Sequence, residues 1–496
     1  MIILPNQVTE AITVLENAGY EAYIVGSCVR ELIMGNSPQD YDIVTNAEIN
    51  DILFAFRDYR ISDEGIKRGE ILVTVVGMII SVSPYRREVV GNRVMYASDL
   101  ETDLSRRGFT MDAMAYSPRE GLIDLYGGKA CLSGEEKRVV AIGENVTRTT
   151  KDDKGRPVTE TYFDMSRSFT IEPSRILRAI RYCAEREFVI DESTRAAMRQ
   201  NVSCFEYAET DKVFDELSRI VMGKYATKVL ESYSDILKYV IPEIEPCIGF
   251  EQHSKYHEFT VWTHIARSVG FAIPEPAIRF AMLFHDIGKP DCCSIDSKGQ
   301  GHYKGHGERS RLLAECIMRR MEFDRRLADE VSWLVYHHDV KIPEDRKELK
   351  KLIRTLGADD LKTLIQCEIA DNRAKKSDTE SEDVQRLRAS LAALNEIIAT
   401  GECYDISQLA VTKRELIDRR LVVTDQEAEE LINVLFEIVL DKPSFNNKLM
   451  LIDMAQKSKQ KIDERNAARE AALREKTAIS GSRLDEPVFS KRKKKK

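Results

Sequence analysis

The 496-residue chain contains no uninterrupted apolar run of the roughly 18 residues that a helix needs to cross a bilayer, so no membrane span is expected. Its first residues, Met1-Ile2-Ile3-Leu4-Pro5, place no basic stretch ahead of an apolar one, so a signal peptide is not expected either. Ten cysteines are scattered, and the only close pair is Cys292-Cys293. Without C-x-x-C spacing or a dense framework, zinc-finger and disulfide-scaffold classes are set aside and reduced, cytoplasmic thiols are expected. Aromatic residues are few, at 7%, against 43% apolar and 31% charged, a balance that suits a mostly helical chain of several domains. No repeat with a period of about 20–50 residues is present, which argues against a solenoid. A net charge of −8 gives no general pull toward nucleic acid. The mean nevertheless hides basic stretches at Arg86-Arg87, at Arg106-Arg107, at Arg175/Arg178/Arg181 and at Lys491 to Lys496. An RNA site would be a basic stripe on an acidic body.

What is present begins with Tyr23-Ile24-Val25-Gly26-Ser27-Cys28-Val29-Arg30, followed by Asp40-Tyr41-Asp42-Ile43-Val44. The apolar run before Gly26 reads as a short buried strand, and Gly26-Ser27 as the start of a helix with Arg30 on its first turn. Glycine lets a phosphate approach the backbone, and a helix N-terminus favours negative charge. Period-2 alternation sends Asp40 and Asp42 to one face of a strand and Tyr41 to the other. Two hard oxygen ligands side by side suit Mg²⁺ carrying substrate phosphates. A Gly-Ser turn and a D-x-D are each common on solvated elements, but joined at this spacing they point to metal-assisted chemistry on a nucleoside triphosphate. The constellation resembles the nucleotidyltransferase superfamily of DNA polymerase β and the tRNA CCA-adding enzymes.

Glu172-Pro173-Ser174-Arg175-Ile176-Leu177-Arg178-Ala179-Ile180-Arg181 spreads three arginines over about a third of a helix circumference. Such a pattern is usually a solvated face. Arginine also offers bidentate donors to phosphates and base edges. Here the chain resembles the bacterial, class II CCA-adding enzymes, whose helix carries D-x-x-R followed by L-R-x-x-R. The resemblance implies that Glu172 and Arg175 pair with the incoming base, with Glu in place of the usual Asp, and that Arg178 and Arg181 hold triphosphate or pack the helix. It further implies that Gly26, Ser27, Arg30 and Arg107 bind the nucleotide. A carboxylate accepting an exocyclic amine beside a guanidinium donor suits adenine and cytosine but not guanine or uracil.

Leu104-Ser105-Arg106-Arg107-Gly108-Phe109-Thr110-Met111-Asp112-Ala113 is similar to the family's R-R-D-F-T-x-N-A segment, with Gly108 for Asp and Asp112 for Asn. Ser81 stands where the family's hairpin carries a third carboxylate. Asp211 to Leu217 and Leu237 to Glu243 resemble the family's neck.

All eight histidines fall between His253 and His338. A lone histidine is usually structural, but His264, the adjacent His285-Asp286 and Asp371 form an ordered set on helical segments that can converge on a divalent ion. The set resembles the H…HD…D signature of HD phosphohydrolases, with His306 and His337 as additional candidates. That resemblance implies a second divalent metal and phosphatase or phosphodiesterase activity, or RNA binding alone.

The expected class is α+β: a small N-terminal nucleotidyltransferase mixed sheet with helices, then an all-α neck, an HD-type body and a helical tail. The expected boundaries are 1–142 for the head, 143–170 for a polar insertion, 171–245 for the neck and 246–375 for the HD region. Residues 376–456 are read as helical tail and 457–496 as a charged helix running into a disordered basic end. The expected activity is untemplated addition of CCA, or part of it, to tRNA from CTP and ATP. Asp40 and Asp42 would be the catalytic Mg²⁺ ligands. The rival readings are a poly(A) polymerase and an HD phosphohydrolase with a weakened transferase head.

Overall fold

Four consecutive apolar residues, Ala22–Val25 (β1), are all buried and form the middle of a sheet, because a strand covered on both faces has no polar side to present. The computed structural model describes residues 2–62, 64–66, 69–90, 93–151 and 156–460. Around β1 stand Asp42–Thr45 (β2), Arg60–Ser62 (β3), Ile71–Val75 (β4), Met78–Pro84 (β5), then Arg86–Val90 (β6), Arg93–Tyr96 (β7), Met114–Ser117 (β8) and Gly121–Asp124 (β9). Seven of them make one mixed sheet in the order β3-β4-β5-β2-β1-β8-β9, and among the described residues β6 pairs with β7 alone. The β4–β5 hairpin turns at Val76-Gly77, both at positive φ, the geometry of a tight two-residue hairpin.

The β2–β5 pair is parallel and sets Asp42 opposite Ser81. On its other edge, β5 runs antiparallel to β4, with Ser81 opposite Leu72. Helices Asn6–Asn17 (α1), Ser27–Ile33 (α2), Ile49–Ala55 (α3) and Leu100–Ser105 (α4) complete the head. The polar insertion is a second antiparallel hairpin, Glu144–Lys151 with Pro157–Asp164.

From Ser166 to residue 460 the described chain is helical, with connecting loops and short two-stranded bridges. The chain divides into two compact units, Met1–Asp339 with Gln366–Thr379, and Val340–Ile365 with Glu380 onward. One apolar core runs through the first unit, from Val8 and Ile24 through Leu177 and Ile220 to Ile265, Phe284 and Ala370. The second unit has its own core around Leu416, Leu431, Leu435 and Val439. There Lys350 is buried against Glu402 at 2.6 Å and donates to the Leu440 carbonyl at 3.0 Å. The tail expected beyond residue 460 lies outside the described residues. No helix among the described residues is long and apolar enough to cross a membrane, and all ten cysteines are free.

Candidate active site and metal centre

Gly26 is the residue before α2 and has φ +77°, a conformation that disfavours any side chain. A Cβ there would also stand 3.1 Å from Nη1 of Arg107, so glycine is what lets that guanidinium close on the β1–α2 turn. Arg107 is fixed by Asp103, to which its Nε and Nη2 donate at 3.0 and 2.7 Å. Asp42 begins β2 at the same corner, while Asp40 is exposed just before it. Burial raises the Asp42 pKa; Arg107 opposes the rise, and Asp40 and Glu70 add to it. The corner thus brings the carboxylates of Asp40, Asp42 and Glu70 near one another, oxygen donors of the kind a hard divalent cation with bound phosphates would use.

Asp103 is fully buried and serves more than Arg107. It accepts from Arg106 Nε at 3.3 Å and from the Arg86 amide at 3.0 Å. Arg106 in turn presents its carbonyl to Nη2 of Arg175 at 2.6 Å. Arg175 Nε donates to Glu172 at 2.9 Å and Nη1 to the Ser168 carbonyl at 3.2 Å. Three of its five N–H donors are thereby committed and the others are left for a ligand. Glu172 and Arg175, with Arg106 and Arg167, line a cleft of about 720 Å³; Asp40 and Asp42 are not among its walls. Burial pushes the Glu172 pKa up, but Arg178 and then Arg175 outweigh it and hold the carboxyl below its ordinary value.

Arg178 and Arg181 do not face outward. Both donate to Glu216, at 2.7 and 2.6 Å, and Arg178 also reaches Glu172 at 2.8 Å. This favours the helix-packing side of the expectation for them. Arg30 departs from the expected triphosphate role. Its guanidinium is buried and pairs with Asp112, Glu31 and the Tyr182 hydroxyl, so α2 is tied to the helix Ser174–Arg186 by a residue that would otherwise contact phosphate. Asp112, the acid that replaces an expected Asn, is therefore matched by Arg30, and it also accepts from Tyr182 at 2.8 Å. Gly108 has an equally local reason: at φ +85°, a Cβ would meet Arg175 Cδ and Nε at 2.8 Å.

The histidines converge on a second centre. His264 lies on the helix Val261–Phe271, His285 caps Pro276–Phe284, His306 opens His306–Arg320, and Asp371 lies on Ala358–Ala374. His264 Nε2 is 3.2 Å from His285 Nε2, 2.9 Å from Asp371 Oδ1 and 3.3 Å from Asp286 Oδ2. The other oxygen of Asp286 is 3.3 Å from His306 Nε2 and 3.7 Å from His338 Nε2. The two sets, His264/His285/Asp286/Asp371 and Asp286/His306/His338, share Asp286, and every member is buried. Backbone carbonyls orient three of the rings: Met282 holds His285 Nδ1, Tyr303 holds His306 Nδ1 and Val335 holds His338 Nδ1, at 2.8, 2.8 and 2.7 Å. Their Nε2 atoms are thereby turned inward, the arrangement in which histidine serves a metal. Burial lowers the His285 pKa, but Asp286 and Asp371 reverse this and carry it up to about 10. Lysines 289 and 375 sit 2.6 Å from Asp286 and 2.7 Å from Asp371.

His337 is a correction. It stacks on Trp333 with centroids 4.3 Å apart and its Nδ1 bonds the Trp333 carbonyl, away from the centre that His338 joins. Adjacent helical residues point about 100° apart, so of the His337-His338 pair only one can face inward. Sequence reasoning also passed over Asp103 and the role of Glu216. An acid three and four residues before Arg106-Arg107 on a helix was the signal for Asp103. Glu216 lies 38 residues from Arg178 and offered no local one.

The head is a mixed sheet with a Gly-Ser turn beside the strand that Asp42 begins. More particularly, residues 22–139 match the family described as the Poly A polymerase head domain. The CCA-adding enzyme of Leuconostoc citreum is 28% identical over 248 residues, 48% of this chain and 56% of that protein. That of Lactococcus lactis subsp. cremoris is 30% identical over 279 residues, 50% of this chain and 62% of that protein. The chain thus spans little more than half the length of these two relatives. The CCA-adding enzyme of Oceanobacillus iheyensis is 27% identical over 378 residues, 70% of this chain and 82% of that protein. Among solved structures, the Bacillus stearothermophilus CCA-adding enzyme in complex with CTP superposes with a TM-score of 0.61 at 18% identity, covering 95% of this chain and 100% of that one. The Thermotoga maritima CCA-adding enzyme complexed with tRNA gives 0.53 at 18% identity over 92% of this chain and 96% of that one. At such identities the likeness is one of fold.

Proposed function

We propose that this protein is a template-independent RNA nucleotidyltransferase that adds CCA, or part of it, to tRNA 3′ ends from CTP and ATP. One observation carries the reading: the chain Arg107–Asp103–Arg106–Arg175–Glu172 ties the acidic corner at Gly26 and Asp42 to the cleft that holds a carboxylate beside a guanidinium. Phosphate handling and base choice are coupled by hydrogen bonds rather than left to separate loops. The curated relatives named CCA-adding enzymes and the CTP- and tRNA-bound structures of the same fold support it.

Asp40 and Asp42 would hold Mg²⁺, which when bound supplies an acidified primer hydroxyl and charge neutralisation on the triphosphate. Ser27 and the amides at Gly26 would cradle phosphate oxygens, and Arg107 would stand beside them. Glu172 would accept the exocyclic amine of cytosine or adenine while the uncommitted donors of Arg175 meet the adjacent ring nitrogen. Arg178, Arg181 and Arg30 keep that helix in place through Glu216 and Asp112. The tRNA acceptor arm would be gripped through phosphate and shape, and a cytoplasmic setting accords with ten free cysteines.

The shared-aspartate histidine centre supports a second activity in the same chain, an HD-type metal-dependent phosphohydrolase. The rival for the head is a poly(A) polymerase, which the family description also fits. Incorporation of each of the four labelled triphosphates into tRNA lacking its CCA end separates these. C and A incorporation is expected; tailing with A alone would replace the reading with the rival.

A further inference from the structure

Ser81 lacks the carboxylate that the resemblance leads one to expect at its position, and the sheet register shows where another acid stands. Asp42 on β2 is directly opposite Ser81 on β5, and Ser81 is directly opposite Leu72 on β4. Residues opposite one another in a ladder project from the same face, and so do residues two apart on an extended chain. Glu70, two residues before Leu72, therefore belongs to the face that carries Ser81, Asp42 and Asp40. Its side chain confirms this, with Oε2 lying 3.5 Å from Ser81 Oγ. The loop ahead of it holds it there: the Glu70 amide donates to the Gly65 carbonyl at 3.2 Å, and a Cβ on Gly65 would meet Glu70 Cγ at 2.6 Å. Ser81 is small enough to leave Glu70 the space that a glutamate at its own position would fill.

We propose that Glu70 supplies the third carboxylate of the acidic site, reaching over Ser81 from the neighbouring strand to the metal-binding face of Asp40 and Asp42. The inference rests on the transferase reading of the head. The acid has moved one strand across the sheet, so the oxygen donor set is kept although the β5 position has lost it. Hard oxygen donors of this kind suit Mg²⁺ or Mn²⁺ bound together with a triphosphate.

The test is Mn²⁺ binding by the full chain in the presence of CTP, read as loss of the free-Mn²⁺ electron paramagnetic resonance signal. Ions at the head are identified as those lost in Asp40→Ala/Asp42→Ala, which separates them from ions at the histidine centre. Glu70→Gln keeps size and shape, and should weaken head binding by on the order of tenfold or more, with an unchanged melting temperature. Adding Ser81→Glu to Glu70→Gln returns a carboxylate to β5 and should restore the affinity. Unchanged Mn²⁺ affinity in Glu70→Gln, or a loss that Ser81→Glu does not repair, would overturn the proposal. Binding is read without turnover, so a wild type that binds Mn²⁺ through Glu70 yet incorporates no nucleotide would refute the transferase reading while leaving this one standing.

Discussion

In the head, Asp40 is exposed and Asp42 is half-buried with Arg107 nearby; in the helical body, His264, His285, Asp286 and Asp371 are buried together, and carbonyls orient His285, His306 and His338. The first arrangement is half a site. On the proposed reading its oxygens would take a cation together with nucleotide phosphates, so occupancy would follow the nucleotide. The second is nearly complete without a substrate, because inward-facing Nε2 atoms and a shared carboxylate leave little for another molecule to add. Lys289 and Lys375, paired with Asp286 and Asp371, supply positive charge where a metal would. A cleft that exchanges substrate at every turnover suits the open type, and a resident ion suits the enclosed one.

The largest effects should come from crossing the two centres. Asp42→Ala should lower nucleotide incorporation by at least about 10³-fold, some 4 kcal/mol, and leave metal-dependent phosphatase turnover intact. His285→Ala should do the reverse. If either variant removes both activities, the centres are not independent and the comparison fails. Next in size is the support beneath Glu172 and Arg175. Glu216→Ala would leave Arg178 and Arg181 without their shared, buried acid and should cost about 3–5 kcal/mol of stability in chemical denaturation.

Metal removal should then separate the two kinds of site. Saturating the histidine centre with Mn²⁺ at about 100 times its Kd should stabilise the chain by roughly 2.7 kcal/mol over the chelated form, seen as a higher Tm. Asp40→Ala/Asp42→Ala should keep that increment in the absence of nucleotide, and His285→Ala should lose it. The smallest effect concerns base choice. Glu172→Ala should reduce discrimination against GTP and UTP by about 1–3 kcal/mol in competition assays. The Glu172 pKa is lowered in the folded chain, so its ion pairing contributes stability above the unfolded carboxyl value near 4.5 and is lost as pH falls through the lower folded value. Selectivity should accordingly stay flat from about pH 8 down to about pH 5.

The parts of the molecule legible in the sequence are those whose partners are near in the chain. Gly26-Ser27 and Asp42 could be placed on a turn and a strand because apolar runs and period-2 spacing are local facts, and the histidines because they are crowded into one region. The pairing of Arg30 with Asp112 is not legible in the sequence because the two are 82 residues apart and no spacing announces it. That Glu70 lies beside Ser81 is not legible because register between strands is not written in either strand alone. His338 and His337 are adjacent, and only the helix end decides which faces in.

The measurement that bears most directly on the central claim is incorporation of labelled CTP and ATP into tRNA lacking its CCA end. The wild type should add C and A, reject GTP and UTP, and lose the reaction with Asp40→Ala/Asp42→Ala. A wild type that incorporates no nucleotide, or variants that incorporate as well as it does, would contradict the account.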